Sequence, residues 1–447
     1  MTLSRTTRSR SLGNLARSKS LGNLARTKSL GGSAVALALA SVLVAGCAES
    51  ASAGGGGGGG DGIEYGATKD DYVAAFENVD PIQLYTQSPA PKGSATGVPV
   101  EKYLDRITEW SGGKITFDVA YSNAVAPPAE IDNALIDGRL DLGHVIPQYE
   151  PSEYPATSAL IDSSFVSLQT PVLGPLQSNA WANEVAFETP ELIAEYEDKG
   201  LKLLLPAYNS GSNGLFCATE RRDLAATKGA QVTASGLSIN SEVASLGATP
   251  VSIAYTELFE ALERGIADCS VTSFTVGMLG GFLGQTPQVV IDPDAGVAVG
   301  WGGMAMSTGA WEELPLVAQQ LIWDSLSVYV ESNIEDKILP NTAEGMKEVL
   351  AANGTVGPYA EDARNALATE NARLLDAQRT NSAFDDGNAF VDRISASTEK
   401  WESTLSELGY EDVTYDEFAA WYSPDVLDLE DYSAKVYEEI FLPHRPS

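Results

Sequence analysis

The sequence predicts an α/β fold built as two units with a helical C-terminal part. Three observations predict it. Between residues 81 and 147, segments alternating with period two are separated by segments of helical period, in the order strand, helix, strand, helix, strand. The same alternation returns between residues 201 and 272, and from Trp311 onward only helical periodicity is left. Strands joined by helices pair in parallel, because a parallel neighbour needs a crossover connection.

Taken in order, residues 81–88 (PIQLYTQS) alternate as a strand. Residues 98–110 form a helix with Val100, Leu104, Ile107 and Ser111 on one face, stopped at Ser111-Gly112-Gly113-Lys114, where glycine ends helices. Ile115, Phe117, Val119 and Tyr121 alternate as a half-buried strand. Residues 129–136 are a short helix closed by Gly138, and residues 140–147 (LDLGHVIP) are the third strand. In the second unit, residues 201–205 are a buried apolar run, residues 215–218 and 230–233 are short strands, and residues 239–246 are a helix ended by Gly247. Residues 256–264 read as a helix with Thr256 as N-cap and Glu257 and Glu260 near the positive end of its dipole, and residues 266–272 follow as a strand. Residues 316–338, 342–352, 361–381 and 388–408 are helices. The acidic, aromatic stretch 425–439 fits either a helix wrapped on the body or a disordered tail.

The N-terminus says where the chain works. Residues 34–45 are apolar and end in Val44-Ala45-Gly46-Cys47, behind seven of the 28 basic residues and none of the 61 acids. Small residues before a cysteine, closing a short apolar run, suit a lipoprotein leader: the Cys47 thiol takes a lipid and residues 1–46 are removed. The run is too short to span a bilayer. Two near-copies of one nonapeptide, SRSLGNLAR and SKSLGNLAR, lie in this discarded part. Residues 47–79, with seven consecutive glycines from Gly54 to Gly60, read as a flexible tether, with the folded body starting near Asp80. The expected location is the extracytoplasmic face of the membrane, lipid-anchored through Cys47. The whole chain carries a formal charge of −33, and the part after Cys47 is more acidic still, so nucleic acid is no partner. Cys217 and Cys269 remain, and outside the cytoplasm both a disulfide and two buried thiols stay open.

Several segments together resemble one family. Trp110-Ser111-Gly112-Gly113-Lys114-Ile115 is similar to the T/S-G-G-K-I turn of TRAP-transporter substrate-binding proteins, the DctP family. Residues 134–143 (ALIDGRLDLG) resemble its A-L-x-x-G-x-x-D segment. Residues 246–251 (LGATPV) and 257–268 (ELFEALERGIAD) resemble its L-G-A-x-P-V and E-L-Y-x-A-L-x-x-G-x-x-D pair, and residues 306–320 its W-x-x-L-P…Q helix start. Order and spacing agree over residues 80–381. The resemblance implies a periplasmic-binding-protein-like, Venus-flytrap fold whose two lobes close on a small solute, and a membrane permease as partner. It implies the division 80–208 (first lobe), 209–296 (second lobe), 297–335 (return to the first lobe and hinge) and 336–447 (helices packing on both). It implies no bond chemistry and no cofactor.

The family binds its ligand's carboxylate through an arginine after a D-L-K-G segment. Here residues 223–233 read DLAATKGAQVT, so Thr233 stands where that arginine is expected, and Thr272 stands where an asparagine is usual. A simple carboxylate then needs a cation from elsewhere, with Lys92 as first choice and the Arg221-Arg222 pair as second. The crevice of an open α/β sheet lies beyond the carboxyl ends of its strands. That rule selects Gln87, Ser88, Tyr121, Ser122, Asn123, Gln148, Tyr149 and Ser273, with Asn209 and Asn213 near the first crossing between lobes. Trp301 shares a face with Val297 and Val299, which fits either a core tryptophan or an aromatic wall of the pocket.

An extracellular hydrolase, such as a carboxylate-pair glycosidase, is the alternative, since acids are abundant. The chain has only two histidines, His144 and His444. It has no G-x-S-x-G elbow, no H-E-x-x-H pair and no phosphate cradle. No metal is expected: Asp292-Pro293-Asp294 and Asp385-Asp386-Gly387-Asn388 read as acidic turns rather than calcium loops.

Overall fold

The computed structural model describes residues 60–447. The leader, Cys47 and most of the glycine tract therefore lie outside the described residues. The strands are β1 (Ile82–Gln87), β2 (Ile115–Ala120), β3 (Leu142–Val145), β4 (Leu201–Tyr208), β5 (Gly214–Cys217), β6 (Gln231–Thr233), β7 (Thr249–Val251), β8 (Cys269–Thr272), β9 (Gln288–Val290), β10 (Gly302–Ser307) and β11 (Thr355–Gly357). They form two sheets, in the orders β2-β1-β3-β10-β4 and β11-β9-β5-β8-β6-β7.

In the first sheet β1 pairs in parallel with β2 and β3, as the strand–helix–strand pattern requires, and β10 enters antiparallel between β3 and β4. In the second, β6 is parallel to β7 and β8, and β5 is antiparallel to β8 and β9. The chain thus leaves the first sheet after β4, builds most of the second, and returns as β10. Residues 209–213 and 291–301 are the two crossings.

The long helix expected over residues 316–338 is broken. Leu316–Asp324 and Leu326–Ser332 are followed by a π turn, Asn333–Ile338, which runs on into Leu339–Ala351. Pro340 explains the widening: it has no N–H to give the carbonyl four residues back, and its ring crowds that carbonyl. This rod packs on the helix Val98–Trp110 with its first half and on the helix Phe274–Gly280 with its second.

One apolar core runs under both sheets, joining Leu84, Val145 and Leu205 to Phe216, Phe274 and Val289. A second, smaller core lies behind the second sheet, around Val232, Ile239 and Leu367. Within it Cys217 and Cys269 face each other in register across β5 and β8, joined by a disulfide.

The ordered body starts before Asp80. Lys69–Ala75 is a helix whose Thr68 side chain accepts the Asp71 amide while Asp71 returns a bond to the Thr68 amide, a reciprocal N-terminal cap. Tyr72 on this helix is buried and donates to Asp324, so the segment read as tether docks on the body. The acidic end takes the helical alternative, with Glu430–Val436 followed by a π turn, Tyr437–Phe441. Among the described residues, no helix is long and apolar enough to cross a membrane.

Candidate functional site

A cavity of about 150 Å³ opens between the two sheets, where strand ends from both meet the two crossings. From the first sheet, Gln148 and Tyr149 reach it on the tight turn Pro147–Tyr149 that follows β3. From the second come Thr233 at the end of β6, Thr272 at the end of β8, and Ser273, whose hydroxyl caps the helix Phe274–Gly280 by accepting the Val276 amide at 3.3 Å. Asn213 and Trp301 come from the crossings, and the Asn213 amide ties one to the other by donating to the Ala298 carbonyl at 2.8 Å.

Trp301 is both packed in the core and part of the cavity wall. It is 2% exposed and meets Trp181 edge to face at 5.2 Å, yet it lines the cavity, with its indole N–H unpartnered. The glycines on either side make this wall. A Cβ at Gly300 would lie 1.9 Å from Gln148 Oε1, and one at Gly302 would lie 2.4 Å from the Tyr208 hydroxyl. Only glycine lets those two side chains fold in beside the tryptophan.

Thr233 donates its hydroxyl to Ser270 Oγ at 2.7 Å. The remaining expected residues sit elsewhere. Gln87 is buried, but its amide is used up by its own loop: Oε1 accepts from Val125 and Ala126, and Nε2 donates to the Ala126 carbonyl. Ser88 is also buried and accepts the Ala90 amide. Asn209 closes its own turn by accepting from Gly211 and donating to Ser178. Tyr121 is half-buried and Ser122 exposed, and neither lines the cavity. Lys92 is exposed and does not line the cavity, although Pro89 and Thr96 of the same loop do. Arg221 donates to the Ala226 carbonyl and Arg222 to Glu220 and the Pro358 carbonyl.

The cation at the cavity is Lys337, which the sequence reading missed. Its ammonium donates to the Asn209 carbonyl at 3.2 Å and to Asn333 Oδ1 at 2.8 Å, and lies 5.1 Å from the Tyr208 ring centre. Burial pushes it down to about 7. Behind it His144 stacks on Tyr329 and meets Tyr208 edge to face. Burial, reinforced by the Lys337 charge, pushes His144 down to about 3, so it is a neutral packing residue. Tyr208 and Tyr255 also line the cavity unannounced. Tyr255 belongs to a 3-10 turn, Tyr255–Glu257, which displaces the expected Thr256 cap: the helix begins at Leu258 with no side-chain cap. A signal for Lys337 was present. It falls with Ile334 and Ile338 on the buried face of a helix, three residues before a proline.

Among the described residues, no three His, Cys, Asp or Glu side chains gather as a metal group. Asp292 accepts from Arg364 at 2.9 Å and from the Tyr359 amide at 3.0 Å, while Asp386 caps the helix Gly387–Glu407.

The fold has solved counterparts. One is a TRAP solute binding protein from Rhodoferax ferrireducens T118 in complex with copurified benzoate, at 18% identity and TM-score 0.63, covering 72% of this chain and 99% of that one. A marine metagenome TRAP solute binding protein specific for pyroglutamate matches at 16% identity and TM-score 0.60, covering 71% and 99%. The sugar acid binding protein from Advenella mimigardefordensis strain DPN7T, in complex with galactonate, matches at 17% identity and TM-score 0.59, covering 72% and 99%. At such identities the likeness speaks for the fold. The sequence itself matches the model of bacterial extracellular solute-binding protein family 7, DctP, over residues 87–380. With that match over more than half its length, and the two-lobed fold beneath it, the chain belongs to the DctP family of bacterial extracellular solute-binding proteins.

Proposed function

We propose that the protein is the solute receptor of a TRAP-type secondary transporter, anchored outside the cell by a lipid on Cys47, and that it delivers a small organic acid to membrane permease subunits. The carrying observation is the cavity, where polar side chains from both sheets converge between two crossing segments. A solute touching both lobes stabilises only the arrangement that brings them together, and a permease can read that arrangement. Benzoate, pyroglutamate and galactonate, named with the similar structures, are all small acids, which favours that size class here. Membership of a solute-binding family sets the hydrolase alternative aside.

The test is thermal unfolding against a broad metabolite panel, with the solute recovered afterwards. At about 100 times its Kd, a solute should add about 2.7 kcal/mol of stability and come back unchanged. Consumption of the solute, or no stabilisation by any of the panel, overturns the reading. The anchor is tested separately by mass spectrometry of the N-terminal peptide: Cys47→Ser should abolish the lipid adduct and release the chain from membranes.

A further inference from the structure

Lys337 is the only charged side chain lining the cavity among the described residues. It is 5% exposed, and both of its partners, the Asn209 carbonyl and Asn333 Oδ1, are neutral. One of its three N–H donors remains, and no acid compensates it. Asp336, its neighbour in the chain, is turned to Lys102 at 2.6 Å and to the Ser332 hydroxyl at 2.6 Å. The other groups packed around it are the rings of Tyr208, Tyr329 and His144, none of them a counter-charge. Burying an ammonium without a counter-ion is unfavourable, and a group held in that state gains most when an anion arrives.

The walls describe the rest of the ligand. Trp301, Tyr208, Tyr255, Ile239, Ile253 and Leu279 are aromatic or aliphatic. A volume of about 150 Å³ is that of an engineered protein cavity that holds one benzene. A second cation, which a dicarboxylate would require, is absent from the lining among the described residues. Three buried polar atoms there, Gln148 Oε1, Trp301 Nε1 and Thr275 Oγ, have no protein partner and can meet a ring substituent.

We propose that the Lys337 ammonium pairs with the ligand's carboxylate, and that the ligand is a monocarboxylic acid built on a single aromatic or alicyclic ring. This rests on the receptor reading above and names its substrate class. Because burial already holds Lys337 down at about 7, pairing with an anion above that pH draws a proton onto the amine.

The experiment titrates the full chain with benzoate, cyclohexanecarboxylate, benzamide and succinate, by calorimetry in buffers of different ionisation enthalpy. A ring acid should bind and its amide should not, with uptake of close to one proton per ligand at pH 8. Lys337→Met removes the buried charge and should unfold at or above the wild-type midpoint. It should bind the acid about 30-fold more weakly or worse, with no linked proton, as befits loss of a charged hydrogen bond. Equal affinity in Lys337→Met, binding at pH 8 without proton uptake, or a preference for succinate or benzamide overturns the inference and leaves the receptor reading standing. A wild-type chain that binds no solute of a broad panel removes the receptor reading itself.

Discussion

The Asn123 side chain donates to the Tyr255 hydroxyl at 2.7 Å, joining the loop after β2 in one lobe to the turn before Leu258 in the other. Tyr255 is held twice, since its backbone N–H also donates to the Tyr149 hydroxyl at 3.3 Å. Asn123 reaches across because Ser122 and Asn123 both take left-handed backbone angles, with φ of 57° and 54°. Asparagine tolerates that conformation better than most residues. The two lobes are thus latched by protein groups at the edge of the cavity, which Tyr149 and Tyr255 line.

Removing the latch should cost the receptor its grip rather than its fold. Asn123 does not line the cavity, and glycine keeps its left-handed backbone, so Asn123→Gly removes the bridge with only the 3.3 Å contact from Gln87 Nε2 lost beside it. We expect solute affinity about five- to tenfold weaker, a gain mainly in dissociation rate, and a change in unfolding free energy of under about 0.5 kcal/mol. Combined with Tyr255→Phe, the second substitution should add little, giving a coupling near 1 kcal/mol in a double-mutant cycle. Full additivity in stopped-flow and calorimetric data would show that no bridge operates.

Glu242 should make the protein less stable as pH rises. It accepts the Ala298 amide with both oxygens, at 3.0 and 3.1 Å, and pins the second crossing to the helix Leu237–Ser245. Burial, with Asp162 and Glu370 nearby, pushes it from 4.5 up to about 8. A folded value above the unfolded one means that the native state holds the proton. Its contribution is full below 4.5 and is lost as pH climbs towards 8. Lys337 and His144, both pushed down, act with the opposite sign in their own windows. The measurement is therefore the difference between Glu242→Gln and wild type in urea unfolding, which should move in the variant's favour by on the order of 3 kcal/mol from pH 5 to pH 8. A constant difference across that range would mean that Glu242 stays ionised.

Asp324 should be the weakest point at which to attack the chain ends. Arg445 donates to it twice, at 2.8 and 3.0 Å, and Tyr72 and Tyr437 add their hydroxyls. The ion pair is largely buried, with side chains 10% and 11% exposed. Asp324→Ala leaves the guanidinium uncompensated, and we expect a loss of about 3 kcal/mol together with proteolytic cutting in residues 429–447. A loss below about 1 kcal/mol would mark the pair as no stronger than a surface one.

Reducing the Cys217–Cys269 bridge, which closes 52 residues, should cost about 2–4 kcal/mol by freeing the unfolded chain. Cys217→Ala/Cys269→Ala should show the same midpoint with and without reductant, while the wild type should shift. No shift in the wild type would mean that the thiols are free.

Much of this architecture was legible because it is written in local periods. The helix 98–110 and the strands on either side of it form nearly as read, since their faces are set by neighbours close in sequence. Residues fixed by distant partners were not legible. Tyr72 looks like part of a loose tether until Asp324, hundreds of positions later, takes its hydroxyl. Gln87 looks like a crevice residue until the Val125–Ala126 amides claim it. Lys337 falls on an apolar helix face, but what it meets there, the Tyr208 ring and the Asn209 carbonyl, comes from more than a hundred positions away.

The π turn Asn333–Ile338 sets the timing of the two halves of the rod. A π turn stores one residue more than an α turn would. The segment after it is therefore rotated by about 100° relative to an unbroken helix. Gly345, where a Cβ would come within 2.9 Å of Phe274, faces the second lobe only in that rotated phase. Deleting a single residue within 333–338 would therefore straighten the rod and keep Gly345 on Phe274, whereas straightening it with every residue kept would swing Gly345 away and leave the lobes geared out of step.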